Sequence, residues 1–464
     1  MPLIKSISGI RGTIGGFPNE GLTPLDIVKF TSAFGFWLKE NSSSTAPKIV
    51  VGRDARISGE MVSNLVCATL QGLGISVVDL GLSTTPTVEV AVPYYEAIGG
   101  IIITASHNPK EWNALKLLNA KGEFINAEEG ALVLELADSN TVNYAQIDDL
   151  GSVERVPDFG KVHIQQIINL PLVDVAAIKA RKFKVVVDAV NSTGGIFVPQ
   201  LLEELGVEVR KLYCEPNGKF PHNPEPLPEN LTELISIMKN ESFDLGIVVD
   251  PDVDRLALVS ETGEVYGEEY TLVAVSDYVL SQVSGDTVSN MSSTRALRDV
   301  TEKYGQTHHA SAVGEVNVVN KMKAVNAVIG GEGNGGVIYP ELHYGRDSLV
   351  GIALFLTHLA KKGGTASSLR ATYPNYHISK NKIQLTPEMD VDKVLRLVEE
   401  KYKDQPINTD DGLKIEFDKE WVHLRKSNTE PIIRIYSESE HKTTAEVLAE
   451  KLIMDMKEII RENR

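Results

Sequence analysis

Three features of the sequence predict an α/β protein built on largely parallel sheets and closed by a smaller α+β region. Apolar runs that do not alternate in polarity end in an acid or a small polar residue at Ile49 to Asp54, Val185 to Asn191 and Leu245 to Asp250. Strands of that kind are buried on both faces, as in a parallel sheet covered by helices. Helical stretches fall between them, around Thr23 to Lys39 and Gly194 to Leu205. The end of the chain differs. Alternating strands are expected near Lys382 and Lys414 and a strand over Ile432 to Tyr436, before a helix in which Leu448, Leu452, Met456 and Ile459 recur at spacings of three and four.

A chain of 464 residues exceeds what one hydrophobic core serves, so three or four domains of about 100 to 150 residues are expected. Polar breaks at Asp138 to Asp158, near Glu261 to Glu269 and after Pro374 place them at 1–150, 151–260, 261–373 and 374–464. With 42% hydrophobic and 23% charged residues the composition is that of a globular protein, neither disordered nor membrane-embedded. No apolar run approaches the roughly 18 residues of a membrane span, and Met1 to Ser6 lacks the apolar core of a signal peptide. A cytoplasmic location without a membrane partner is therefore expected. Cys67 and Cys214 have neither disulfide nor zinc spacing and read as small buried hydrophobes. The net charge of -17 argues against a nucleic-acid partner, whose phosphates would be repelled. A small anion remains compatible if it meets a local basic cluster, and Arg425, Lys426 and Arg434 form one.

Function is expected at strand ends. Ile101 to Ile103 is a β-branched run that stops abruptly and delivers Ser106 and His107 onto a turn ended by Asn108 and Pro109. Such a serine is placed either as a nucleophile or as a turn residue bonding its own backbone. It lies outside G-x-S-x-G, which disfavours acyl-transfer chemistry.

Asp250, Asp252 and Asp254 set three carboxylates within five residues directly after a buried strand. Like charges about 4 Å apart repel by about 4 kcal/mol at an effective dielectric of 20, so a loop this tight needs a cation. Oxygen-only ligation favours Mg²⁺, with Mn²⁺ or Ca²⁺ as replacements. Together with Glu261 the aspartates match EF-hand spacing, but Arg255 stands where that turn demands glycine and the flanks read as strands.

Gly331 to Gly336 formally matches G-x-G-x-x-G after a strand at Ala327 to Ile329. It runs into Val337-Ile338-Tyr339-Pro340, which starts a helix poorly, so no helix N-terminus awaits a pyrophosphate. Glu332 and Asn334 on bare backbone suit sugar hydroxyls instead. Arg425, Ser427, Asn428, Thr429 and Arg434 supply the guanidinium and hydroxyl donors that a phosphate dianion needs.

Taken together, Thr104-Ala105-Ser106-His107-Asn108-Pro109, Asp250-Pro251-Asp252-Val253-Asp254-Arg255, Gly331-Glu332-Gly333-Asn334-Gly335-Gly336 and Arg425-Lys426-Ser427-Asn428-Thr429-Glu430-Pro431 resemble the α-D-phosphohexomutase superfamily. The resemblance covers essentially the whole chain. It implies three related α/β domains with mixed, largely parallel sheets, and a smaller α+β C-terminal domain around a central cleft. These would be, in order, the phosphoserine, metal-binding, sugar-binding and phosphate-binding domains.

It also implies that Ser106 carries a phosphate lying on Mg²⁺ held by Asp250, Asp252 and Asp254. That phosphate passes to a phosphosugar, and the bisphosphate returns its other phosphate after reorienting. Two proton transfers are needed. The family's pair matches Lys116, ten residues after the serine, and Arg11 in Gly9-Ile10-Arg11-Gly12, with His107 assisting. Arg255 matches a position near the phosphoserine. His309 and Glu315 lie in a specificity segment, Glu332 and Asn334 in the sugar loop, and Gly336 stands where many members carry histidine. His163, His343, His358, His377, His423 and His441 show no metal spacing and receive no role.

A mutase acting on glucosamine, glucose or mannose phosphates leads. A phosphoserine phosphatase and a silent phosphosugar-binding protein are the rivals. An acid at Glu315 complements the amino group of glucosamine, which favours glucosamine 6-phosphate and 1-phosphate. Oligomeric state is not legible.

Overall fold

The computed structural model describes residues 3–6, 9–139, 141–384, 390–426 and 432–462. The chain divides into two compact units, Met1–Gln282 with Asn334–Arg370, and Val283–Gly333 with Ala371–Arg464.

In the first unit the larger sheet has the strand order Ile4–Ser6, Gly9–Thr13, Trp112–Leu118, Gly99–Ile103, Lys48–Arg53, Ser76–Leu82 and Val153–Arg155. The last four run parallel, and Trp112–Leu118 is antiparallel to Gly99–Ile103. Period-two side-chain alternation explains the continuous apolar runs. Ile49, Val51, Ile101 and Ile103 enter a core with Phe30, Phe34, Val66 and Leu70. Val50 and Ile102 enter another, with Val88, Ala91 and Phe159, on the opposite face. The helix Pro24–Glu40 starts where Thr23 and Asp26 form a capping box with proline at the first position.

The polar break at 138–158 is not purely a linker. Val153–Arg155 adds to the sheet edge beside Ser76–Leu82 with all three side chains exposed, so backbone pairing makes this strand and no apolar pattern announces it.

The smaller sheet orders Leu256–Ser260, Leu245–Val249, Lys184–Asp188 and Glu208–Leu212. Leu245–Val249 is parallel to Lys184–Asp188 and antiparallel to Leu256–Ser260, so residues 250–255 form a tight connection at a carboxyl strand end. The strands flanking the aspartates are therefore those the sequence predicts.

In the second unit His308–Ser311, Thr287–Asn290 and Ile329–Glu332 are parallel neighbours. The strand expected at Ala327 to Ile329 begins at Ile329 and continues through the glycines. A Cβ on Gly330 would lie 2.5 Å from the Met322 sulfur and 2.8 Å from the Val288 carbonyl, so glycine is what the close packing admits. The remaining sheet is antiparallel, ordered His377–Gln384, Ile432–Ser439, Glu420–Lys426, Leu413–Phe417 and Ile407–Asn408. The helix Lys442–Glu462 covers it with Leu448, Leu452, Met456 and Ile459 in the core, as their spacing requires. No described helix is long and apolar enough to cross a membrane.

Candidate active site

The Ser106 loop leaves the fully buried strand Gly99–Ile103 and is held from both sides. Thr104 Oγ1 accepts from the Ser106 amide at 2.9 Å and donates to Asp54 Oδ2 at 2.7 Å. Ser106 has φ +48°, a left-handed conformation that costs energy in a residue with a Cβ and persists where the surroundings impose it. Arg56 imposes it. Buried to 1% exposure, its Nε donates to Asp54 Oδ2 at 2.9 Å, Nη1 to the carbonyls of Pro109 and Trp112 at 2.7 and 3.0 Å, and Nη2 to those of Asn108, at 2.7 Å, and Ser106.

Ser106 Oγ donates to Asp250 Oδ2 at 2.7 Å, which joins the serine loop to the aspartate loop across 144 residues of sequence. Asp250, Asp252 and Asp254 are fully buried, with carboxylate oxygens within 4.8 Å of one another. Val253 between them has φ +65°, a strained value for a β-branched residue. Burial, then the charges of Asp254 and Asp252, push the Asp250 carboxyl well above the usual range. Asp250 Oδ1 takes the amides of Asp254 and Arg255 at 3.2 and 3.1 Å, while Asp252 Oδ1 and Asp254 Oδ1 have no hydrogen-bond partner. Buried carboxylates with unsatisfied oxygens on one small volume fit a hard divalent cation.

Lys116, buried on the strand Trp112–Leu118, donates to Asp252 Oδ2 at 2.7 Å and lies 3.5 Å from Asp254 Oδ2. Burial lowers the pKa of its ammonium, but those two carboxylates outweigh it and leave the pKa raised. Burial raises the Asp252 carboxyl, yet Lys116 and the Thr85 hydroxyl, at 2.5 Å, hold it below the carboxylate range. Arg11 Nη1 reaches Asn108 Oδ1 at 3.4 Å, and burial followed by Arg255 lowers its pKa. His107 Nδ1 lies 3.4 Å from Ser106 Oγ; burial, then Arg255, depresses the imidazole to about 2, so it is neutral at physiological pH. Arg255 faces Glu225 at 3.6 Å and Asp254 at 4.0 Å.

Residues that the sequence did not single out complete this cluster. Arg346 Nη2 donates to Asp254 Oδ2 at 2.7 Å, and Thr85, Arg56 and Asp54 have the contacts above. Arg346 also accounts for Gly336, where a Cβ would fall 2.3 Å from Arg346 Cδ. Asn334 Oδ1 accepts from the Gly336 amide at 3.2 Å.

In the second unit, Glu332 Oε1 accepts from Asn290 Nδ2 at 2.9 Å and from the Gly314 amide at 3.2 Å. This places Glu332 beside the segment that opens the helix Glu315–Val325, with Glu315 buried in its first turn. His309 does not join them. It pairs with Asp286 at 2.9 Å, one residue before the strand Thr287–Asn290 and hence at the amino end of the sheet. Arg425 and Arg434 are directly opposed on neighbouring strands, and Lys382 opposes Arg434 on the next. Like charges in cross-strand register are destabilising without an anion; Asp411 meets Arg425 at 2.7 Å. Ser427, Asn428 and Thr429 lie outside the described residues.

Comparison with known proteins agrees with these motifs. Residues 4–143, 161–263 and 267–376 match the models of phosphoglucomutase/phosphomannomutase α/β/α domains I, II and III, and residues 382–453 match that of the C-terminal domain. A phosphoglucomutase/phosphomannomutase of Thermococcus kodakarensis is 39% identical over 441 residues, covering 94% of this chain and 95% of that protein. A phosphoglucosamine/phosphogalactosamine mutase of Sulfurisphaera tokodaii is 31% identical, covering 97% and 98%. A phosphoglucomutase/phosphomannomutase family protein of Burkholderia thailandensis superposes with a TM-score of 0.84 at 25% identity, covering 98% of each chain. Four matched domains in sequence and full-length relatives above 30% identity show that this chain belongs to the phosphoglucomutase/phosphomannomutase family of α-D-phosphohexomutases, a family of isomerases.

Proposed function

We propose that the protein interconverts hexose 6-phosphate and hexose 1-phosphate through a phosphoserine at Ser106 and a bisphosphorylated sugar. The observation that carries this reading is the hydrogen bond from Ser106 Oγ to Asp250, which sets a strand-end hydroxyl against three buried carboxylates. Asp250, Asp252 and Asp254, with the Ser106 phosphate, would hold Mg²⁺, which when bound neutralises charge on the transferring phosphoryl group.

A sugar hydroxyl attacks the phosphorus, the bond to Ser106 Oγ breaks, and the proton lost by the hydroxyl is balanced by one returned to the serine oxygen. We assign these two proton movements to Lys116 and Arg11, with neutral His107 orienting Ser106 and Arg255 restraining its phosphate. Glu332 and Asn334 grip sugar hydroxyls. Arg425, Arg434, Ser427, Asn428 and Thr429 hold the phosphate that is not reacting. This division follows the chain: 1–150 carries the serine, 151–260 the aspartates, 261–373 the sugar contacts and 374–464 the phosphate contacts.

For the sugar we propose glucosamine. Glu315 and Glu332 lie on adjoining segments, and two acids complement the cation at C2 of an amino sugar. Glucose or mannose phosphates are the second reading, favoured by the 39% identity to the Thermococcus kodakarensis protein. Comparing kcat/KM for the 1-phosphates of glucosamine, glucose and mannose decides between them. A tenfold preference for either neutral sugar, about 1.4 kcal/mol in transition-state binding, would refute the amino-sugar assignment and leave the mutase intact.

A further inference from the structure

Histidines far apart in sequence, to which spacing assigned nothing, converge in the first unit. His163 lies in the helix Phe159–Ile168, while His343 precedes Asp347, the N-cap of the helix Ser348–Lys362. We propose that His163, His343 and Asp347 bind a divalent transition-metal ion of the Zn²⁺ class, separate from the Asp250 site.

Asp347 Oδ1 accepts from the amides of Leu349 and Val350, which aims Oδ2 at the imidazoles. His163 Nε2 lies 3.1 Å and His343 Nε2 3.4 Å from that one oxygen. Ligands 2.0 to 2.2 Å from a tetrahedral ion lie roughly 3.3 Å apart, so both separations match the edges of such a site. The ring centroids are 6.1 Å apart at 79°. Two imidazoles sharing a tetrahedral ion would sit roughly 5 Å apart, so binding draws them together by about 1 Å.

Oxygen atoms lie beside the other ring nitrogens, where the partners of metal-bound histidines sit. His163 Nδ1 is within hydrogen-bond distance of Thr87 Oγ1 at 3.0 Å, while His343 Nδ1 faces Glu89 Oε2 at 3.3 Å as a charge contact without a hydrogen bond. Glu89 in turn is seated against Gly345, where a Cβ would fall 1.9 Å from Glu89 Oε2.

Charge points the same way. Glu89 and Asp347, at 1% and 0% exposure, bury two carboxylates and require positive charge nearby. A divalent ion on His163, His343 and Asp347 supplies that charge to both acids. Two imidazoles select Zn²⁺, Co²⁺ or Ni²⁺ over Mg²⁺.

The site ties together segments that support the aspartate loop. Thr85, which holds Asp252, begins the helix that carries Thr87 and Glu89, and Arg346, which holds Asp254, precedes Asp347.

The test uses full-length protein stripped with EDTA and titrated with Co²⁺ or Zn²⁺. We expect about one equivalent of tightly held Zn²⁺ and, with Co²⁺, the strong visible absorption of a tetrahedral site, since all-oxygen octahedral ligation at the aspartates absorbs weakly. His343→Gln should abolish the band, and Glu89→Gln should raise Kd by about 10- to 100-fold. His343 is partly exposed, so its variant serves if His163→Gln fails to fold, with circular dichroism as the check. Less than one-tenth equivalent of bound Zn²⁺, no tetrahedral band, or unchanged affinity in folded His343→Gln would overturn the proposal and leave the cluster as a hydrogen-bonded network.

Discussion

Ser106 combines three properties that seldom coincide in one side chain. It is buried to 6% exposure, its backbone is left-handed, and its hydroxyl is directed at a carboxylate. An ordinary turn serine bonds its own backbone; here Thr104 takes up the Ser106 amide, which frees Oγ for Asp250. Ser106→Ala removes the proposed phosphate acceptor, and kcat should fall by on the order of 10³-fold or more. Intact mass under turnover should show one added phosphate on the parent and none on the variant. An alanine variant near the parental rate would exclude the phosphoserine.

Elements matter here chiefly through what lies between them. The strands Gly99–Ile103 and Leu245–Val249 end in loops whose backbones carry the strain, at Ser106 and Val253. Arg56 restrains the first loop through four carbonyls and Asp54, so its planar fork matters more than its charge. Arg56→Lys should therefore lower kcat more than it raises KM. Arg56→Ala, which leaves Asp54 buried without its partner, should cost about 3 to 5 kcal/mol of stability, read as a lower urea midpoint. Parental kcat in a folded Arg56→Lys protein would show that the loop needs no such restraint.

Two predictions concern the molecule as a whole. Chelation should abolish turnover and Mg²⁺ should restore it, because three buried aspartates repel one another without a cation; full activity in excess EDTA would rule the metal out. The second follows from His423, buried between Ser292 Oγ at 2.9 Å and the Asp411 carbonyl at 2.7 Å. Burial lowers its pKa from 6.5 to about 4. Between these values the unfolded chain binds a proton that the native state does not. Stability therefore rises with pH across that window and is lost on acidification, by about 1.4 kcal/mol per pH unit. Unfolding midpoints measured from pH 4 to 7 should show a shallower slope for His423→Gln than for the parent, and equal slopes would refute the assignment.

The sequence by itself determined whatever is local. Continuous apolar runs announced strands buried on both faces, three aspartates in five residues announced a buried carboxylate cluster that could hold a cation, and four short motifs announced the family. A periodicity of three and four marked the terminal helix that closes the last core. Tertiary structure decided what depends on partners remote in the chain. Arg346 and Thr85 reach the aspartates only through folding, and nothing in their neighbours distinguishes them from ordinary helix-flanking residues. His309 meets Asp286 at the amino end of its sheet because pairing with the neighbouring strand brings the two together, which sequence spacing does not reveal. His163 and His343 stand 180 residues apart and meet on one carboxylate, since hydrogen bonds and metal ligation act over a few ångströms of space whatever the separation along the chain.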